Sequence, residues 1–281
     1  MNTLQTSQSP ALQLQTQPPN VTPTNETGRL AHPQDTKPTA AANKKPCDVK
    51  RVSFRVFDNR SGPAKAWIHT PQNDASEYTE SDNNAAVILL SGAPGGMTGP
   101  SEMWPSLANR VANSDNGIPV LRLNYRYTTQ TKHCIADVKT AMQYLEDKHS
   151  MTHFILVGWS FGGALVSAMG GSDERVIACA MAASQKAETE GVRTMAPRPL
   201  LLVHGTSDQT MRYSASQELF EEYGEEGERE LQLIDGDDHE IGRYTGEVEE
   251  MLCMFIMKHA SGGVETDEEE GGVKLPEESV E

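Results

Sequence analysis

An α/β fold with a mostly parallel central sheet is the architecture this chain predicts, on three observations. Strand-sized apolar runs alternate with stretches whose apolar residues recur every three or four positions, the pattern of a sheet covered by helices. One run, Phe154 to Val157, ends in the tight turn Gly158-Trp159-Ser160-Phe161-Gly162-Gly163. Two more, Pro199 to Val203 and Glu230 to Ile234, pass into loops that carry both aspartate and histidine.

Taken in order, Val49 to Phe57 and Lys65 to His69 alternate like half-buried strands, and Asp58-Asn59-Arg60-Ser61-Gly62-Pro63 between them is a turn. They are expected as an N-terminal antiparallel hairpin at one sheet edge. Polar residues 71–84 then lead to the apolar, strand-sized run Ala85 to Leu90. A helix around Pro105 to Ala112 follows, with Leu107 and Val111 four apart, and then a strand over Ile118 to Leu123. Ile135, Val138, Met142 and Leu145 recur at spacings of three and four, a helix face that covers the sheet. Beyond Ser160, Ala164, Leu165, Ala168 and Met169 supply a helix small enough to lie close to the strands. Val176 to Ala182 is the next strand, a helix begins near Tyr213, and Val248, Met251, Leu252, Phe255 and Ile256 form the last helical face. Met251, Met254 and Met257 are read as core filling, since flexible thioethers fill irregular gaps.

The turn at Ser160 has the form of a nucleophile elbow. A serine at the tip of a strand-to-helix turn is forced into strained backbone angles, and a Cβ two residues before or after it would collide with the turn. Gly158 and Gly162 meet that need. A serine hydroxyl is a weak nucleophile, so it requires a base and a group that orients the base. Asp208 follows the strand Pro199 to Val203 and His239 lies in the loop after Glu230 to Ile234. In an open α/β sheet these loops share the rim where ligands bind. Other readings stay open at this level: Ser160 as a plain helix cap, His204 as a rival base, and Asp235, Asp237 or Asp238 as the partner of His239.

The order Ser160, Asp208, His239, carried on about Val87 to Ala260, resembles the α/β-hydrolase superfamily. The short spacings are similar to its compact, lid-poor branch of dienelactone hydrolases and small serine carboxylesterases. Only 48 residues lie from Ser160 to Asp208, which leaves no space for a large cap. The nucleophile of dienelactone hydrolases is a cysteine, whereas position 160 here is serine. The resemblance implies ester or thioester hydrolysis through an acyl-enzyme. It also implies an oxyanion hole, placed by position at the backbone N–H groups of Ala93 and Phe161; Pro94 has no N–H to give. Members of the family usually carry His-Gly at the strand end where this chain has Ser91-Gly92. Met97, Trp104, Tyr127 and Trp159 lie near neighbouring strand ends and are expected to contribute to the acyl pocket, with packing the stronger reading for Trp159.

Composition bounds the remaining classes. The chain has 281 residues, a formal charge of −16 and 37% hydrophobic residues, enough for one sizeable core. Such acidity argues against nucleic acid, whose phosphates demand basic patches. Residues 1–46 are rich in Gln, Thr, Asn and Pro and are expected to be a disordered polar segment; 261–281 hold eight carboxylates against Lys274 and are expected to be a disordered acidic tail. The domain is expected over 47–260. No bilayer-spanning run or secretory core is apparent, and Cys47, Cys134, Cys179 and Cys253 are scattered, so a reducing, cytoplasmic setting is expected, with no metal site, cofactor or membrane span. The Gly92-Ala93-Pro94-Gly95-Gly96 loop lacks the Lys-Ser/Thr of a phosphate-binding loop. A catalytically silent scaffold that binds a ligand or partner is the alternative reading, and an adaptor recruiting partners through its ends is another.

Overall fold

The computed structural model describes residues 21–23, 47–60, 62–72, 84–114 and 117–260. The other residues of the predicted terminal segments 1–46 and 261–281 lie outside the described residues.

The strands are β1 (Val21–Pro23), β2 (Asp48–Val56), β3 (Gly62–Thr70), β4 (Ala85–Leu90), β5 (Val120–Asn124), β6 (His153–Trp159), β7 (Val176–Ala182), β8 (Leu200–Gly205) and β9 (Arg229–Ile234). They form one sheet in the order β1-β9-β8-β7-β6-β4-β5-β3-β2. From β1 to β5 every neighbour is parallel, while β3 is antiparallel to both β5 and β2. The predicted hairpin is thus present, at the edge expected for it. At the opposite edge, β1 pairs Val21–Pro23 with Leu231–Leu233 of β9. That strand falls inside the 1–46 stretch and is absent from the sequence reading; three residues carry too little pattern to be recognised as a strand.

Among the described residues five α-helices cover the sheet: α1 (Met103–Ala112), α2 (Thr131–His149), α3 (Phe161–Gly170), α4 (Ser214–Tyr223) and α5 (Thr245–Ala260). Side chains alternate across the strands, so the core is split in two. Ala86, Ile88 and Leu90 of β4 meet the face covered by α2, α3 and α4, whereas Val87 and Leu89 meet α1 and α5. All six residues of β4 are buried, as the unbroken run AAVILL requires of a central parallel strand. Each fully buried Leu, Ile or Val contributes about 1.5–3 kcal/mol relative to exposure, so this strand anchors the sheet that positions the loops at its carboxyl rim.

Candidate active site

The rim is built by register. Leu90 pairs with Gly158, Trp159 with Ala182, Ala182 with Val203, and Gly205 with Ile234. The chain therefore leaves β4, β6, β8 and β9 at one level, and the loops that follow them converge.

Ser160 stands between β6 and α3 with φ 55° and ψ −115°, a left-handed conformation that costs a non-glycine residue on the order of 1–3 kcal/mol. The bracketing glycines make the turn possible. A Cβ on Gly158 would lie 2.4 Å from the Gly162 carbonyl oxygen, and one on Gly162 would lie 2.5 Å from that of Leu90. Backbone bonds fix the turn: the Ser160 N–H donates to Ala182 O at 3.0 Å and the Gly163 N–H to Ser160 O at 3.0 Å. The side chain is buried apart from a small exposed face, 6% of the residue.

His239 and Asp208 meet Ser160 here. His239 Nε2 lies 3.0 Å from Ser160 Oγ, and His239 Nδ1 lies 2.7 Å from Asp208 Oδ2. A carboxylate at Nδ1 fixes the hydrogen there, which leaves Nε2 bare toward the hydroxyl. Asp208 Oδ1 accepts the N–H groups of Thr210 and Met211, both at 2.8 Å. Burial alone would raise the Asp208 pKa, but hydrogen bonds from His204, His239 and the Met211 amide outweigh it and hold it at about 2. The carboxyl group is therefore charged at neutral pH.

The three aspartates left open as partners of His239 have other work. Asp237 is fully buried and accepts the N–H groups of Asp238, Arg243 and Tyr244. Asp235 accepts from Thr206 Oγ1 and Asp238 from the Glu240 N–H. Together they shape the loop that carries His239. His204 Nε2 lies 3.1 Å from Asp208 Oδ2, and the residue is fully buried, away from solvent.

Loop 92–97 borders the serine. A Cβ on Gly92 would lie 3.3 Å from Ser160 Cβ, so the loop starts beside the nucleophile, and the next residue, Ala93, is exposed. Phe161 is the first residue of α3, where the helix itself offers its N–H no acceptor. Two residues of β5 tie this loop down, and sequence reasoning did not find either. Asn124 Oδ1 accepts the Gly96 N–H at 3.2 Å, and Arg122 Nη1 donates to Met97 O at 2.7 Å. A polar residue inside a strand run was the available signal.

The residues expected to line a pocket separate. Trp159 Nε1 donates to His239 O at 3.0 Å and its ring lies 5.5 Å from the imidazole, so it braces the histidine. Met97 is half-buried at the end of loop 92–97. Trp104 is a correction: its side chain is wholly enclosed in the α1–α5 core, with Gly99 against its ring, and offers a ligand no surface. Tyr127 faces the hairpin turn, whose Arg60 lies 5.3 Å from its ring centre, while the adjacent Arg126 lies 5.5 Å from it. It borders a recess of about 300 Å³ walled by Lys65, Asn124 and Arg126 rather than by Ser160.

Among the described residues no group of His, Cys, Asp and Glu is arranged to hold a metal ion, and no helix is long and apolar enough to cross a membrane.

A protein-family profile described as alpha/beta hydrolase fold matches residues 85–195. Similar solved structures include the esterase domain of a Rhodothermus marinus protein, at 20% identity and TM-score 0.60, covering 76% of this chain and 99% of that one. A Xanthomonas campestris structure described as a serine hydrolase without lid has 14% identity and TM-score 0.58, over 74% of this chain and 94% of its own. Dienelactone hydrolase from Anabaena variabilis has 14% identity and TM-score 0.59, over 75% and 98%. A search of curated proteins returned no match. The profile, the sheet order with its antiparallel hairpin and the shared architecture of these structures make this chain an α/β-hydrolase-fold protein.

Proposed function

We propose that the protein is a serine hydrolase that cleaves an ester or thioester through an acyl-enzyme intermediate. The observation that carries the reading is the continuous relay from Ser160 Oγ to His239 Nε2 and from His239 Nδ1 to Asp208 Oδ2, at 3.0 and 2.7 Å, starting from a serine held in a strained turn. His239 takes the Ser160 proton as Oγ attacks the substrate carbonyl carbon, and Asp208 stabilises the imidazolium. The N–H groups of Ala93 and Phe161 receive the charge that develops on the carbonyl oxygen. His239 then gives its proton to the leaving alcohol or thiol. Water attacks the acyl-serine in the second half, passes a proton to His239, and the acid departs as Ser160 is restored.

Between α3 and β8 the chain contributes only β7 and a 3₁₀ turn at Glu190–Thr194, which supports an open site without a large cap and a single catalytic domain over 47–260. A small acyl ester or thioester suits such a site. The four buried, unpaired thiols support a reducing, cytoplasmic compartment, and burial pushes those of Cys134 and Cys179 up to about 12, so they take no part as nucleophiles.

An active-site-directed fluorophosphonate tests this reading. Stoichiometric labelling that disappears in Ser160→Ala supports it. Absence of labelling in the folded wild-type chain replaces it with a silent binding scaffold. Ester and thioester series of graded chain length then define the acyl group.

A further inference from the structure

The carboxylate that faces His239 also faces a second imidazole. His204 Nε2 lies 3.1 Å from the same Asp208 Oδ2 and 2.9 Å from Met211 O, while its Nδ1 lies 2.7 Å from Ser216 Oγ. His204 is on β8, Ser216 is on α4, and both are fully buried. Both oxygens at Nε2 accept, so that nitrogen carries the hydrogen and the Ser216 hydroxyl donates to Nδ1. His204 is thus the reverse tautomer of His239, and the two point their N–H groups at one oxygen.

What such a second donor does follows from how Asp208 is otherwise held. The amides of Thr210 and Met211 both bond Oδ1 and both come from the turn that carries Asp208 itself. They pin one oxygen and leave the carboxylate free to pivot about it. A donor to Oδ2 from a rigid, buried strand removes that pivot and fixes the plane in which Oδ2 meets His239.

We infer that His204 is a positioning residue: held by Ser216, it fixes the Asp208 carboxylate so that His239 stays aimed at Ser160. This rests on the hydrolase reading above. His204 touches neither the nucleophile nor the base, and its effect passes through Asp208.

The test compares His204→Asn with His204→Gln in the full chain. The asparagine amide nitrogen falls near the place of Nδ1 and keeps the Ser216 contact alone, whereas glutamine reaches the place of Nε2 and restores a donor to Oδ2. For p-nitrophenyl ester hydrolysis, His204→Asn lowers kcat about tenfold with KM held within about twofold, and His204→Gln recovers most of the loss. In proton NMR of the resting protein, the downfield Nδ1–H resonance of His239 broadens in His204→Asn and stays sharp in His204→Gln. Ser216→Ala, which leaves the imidazole in place and removes its guide, gives a smaller loss with the same broadening, and it serves if both His204 variants fail to fold. Unchanged kcat and a sharp resonance in His204→Asn overturn the inference. So do equal losses in the Asn and Gln variants that track only a lower Tm, which indicate mere packing. A wild-type chain without turnover or labelling defeats the hydrolase reading instead, and the resonance alone then decides the role of His204.

Discussion

His69 and His239 carry their ring hydrogen on the same nitrogen, yet their surroundings make them chemical opposites. In both, Nδ1 donates and Nε2 is bare. At His69 the Nδ1 partner is the neutral amide oxygen of Asn109, 2.8 Å away, and the Nε2 partner is Arg122 Nε at 3.0 Å. A guanidinium cannot surrender its proton, and a positive neighbour opposes a second positive charge. Burial first, and then Arg122, push the His69 pKa down to about 4 against the bond from Asn109. At His239 the Nδ1 partner is the charged carboxylate of Asp208 and the Nε2 partner is a hydroxyl whose proton is removable. Ring position and tautomer are therefore insufficient to make a base. The group behind the ring and the group in front of it decide.

The largest consequence concerns turnover. Asp208→Asn and His239→Gln lower kcat for an activated ester by about four orders of magnitude, while His69→Gln leaves it within about threefold. Comparable losses at all three positions in steady-state assays would erase the distinction.

The glycine bracket sharpens the same comparison, because His239 has a hydroxyl in front of it only while the elbow holds. Gly158→Ala places a Cβ against the Gly162 carbonyl oxygen, with no flexible side chain to give way. The expected loss in urea unfolding exceeds about 3 kcal/mol, with turnover lost in parallel.

Arg122 is the next lever. Arg122→Met strips the donor from His69 Nε2 and from Met97 O. Stability falls by about 1–3 kcal/mol, and the His69 titration midpoint, followed by NMR, rises from about 4. A midpoint that stays put removes the electrostatic part of the account.

The smallest effect is a slope. The folded His69 refuses a proton until about pH 4, whereas the ordinary histidine value is 6.5. Its contribution to stability is present above about pH 6.5 and is lost as pH falls through that window toward 4. Urea melts across the window should show a shallower decline in His69→Gln than in the wild type.

The contrast also explains what was legible in the sequence. Ser160 could be read because the elbow imposes a local rule, glycine two residues away on either side, and the backbone angles obey it. Asp208 and His239 could be read because parallel strands end on one rim, so chain order stands in for distance. The cluster of His69, Asn109 and Arg122 obeys no local rule. It assembles only when β3 pairs with β5, setting Trp67 opposite Arg122, and when α1 brings Asn109 alongside. Trp104 misled for a related reason: its position near a strand end suggested a pocket wall, but the face of α1 it occupies turns into the core. Tyr127 is held instead between its own neighbour Arg126 and Arg60 of the hairpin turn, a residue distant in sequence. The shared use of Asp208 by two imidazoles was hidden as well, since His204 four residues earlier competes for the role of base until coordinates separate their directions.

The most direct test of the account is to trap the acyl-enzyme. Full-length protein mixed with excess p-nitrophenyl acetate is acid-quenched within the first turnovers, weighed intact and mapped by peptide mass spectrometry. The account predicts a burst of p-nitrophenol equal to the enzyme and one acetyl group, located on Ser160 and absent in Ser160→Ala. Steady turnover without a burst or adduct, or an acetyl group on another residue, would contradict it.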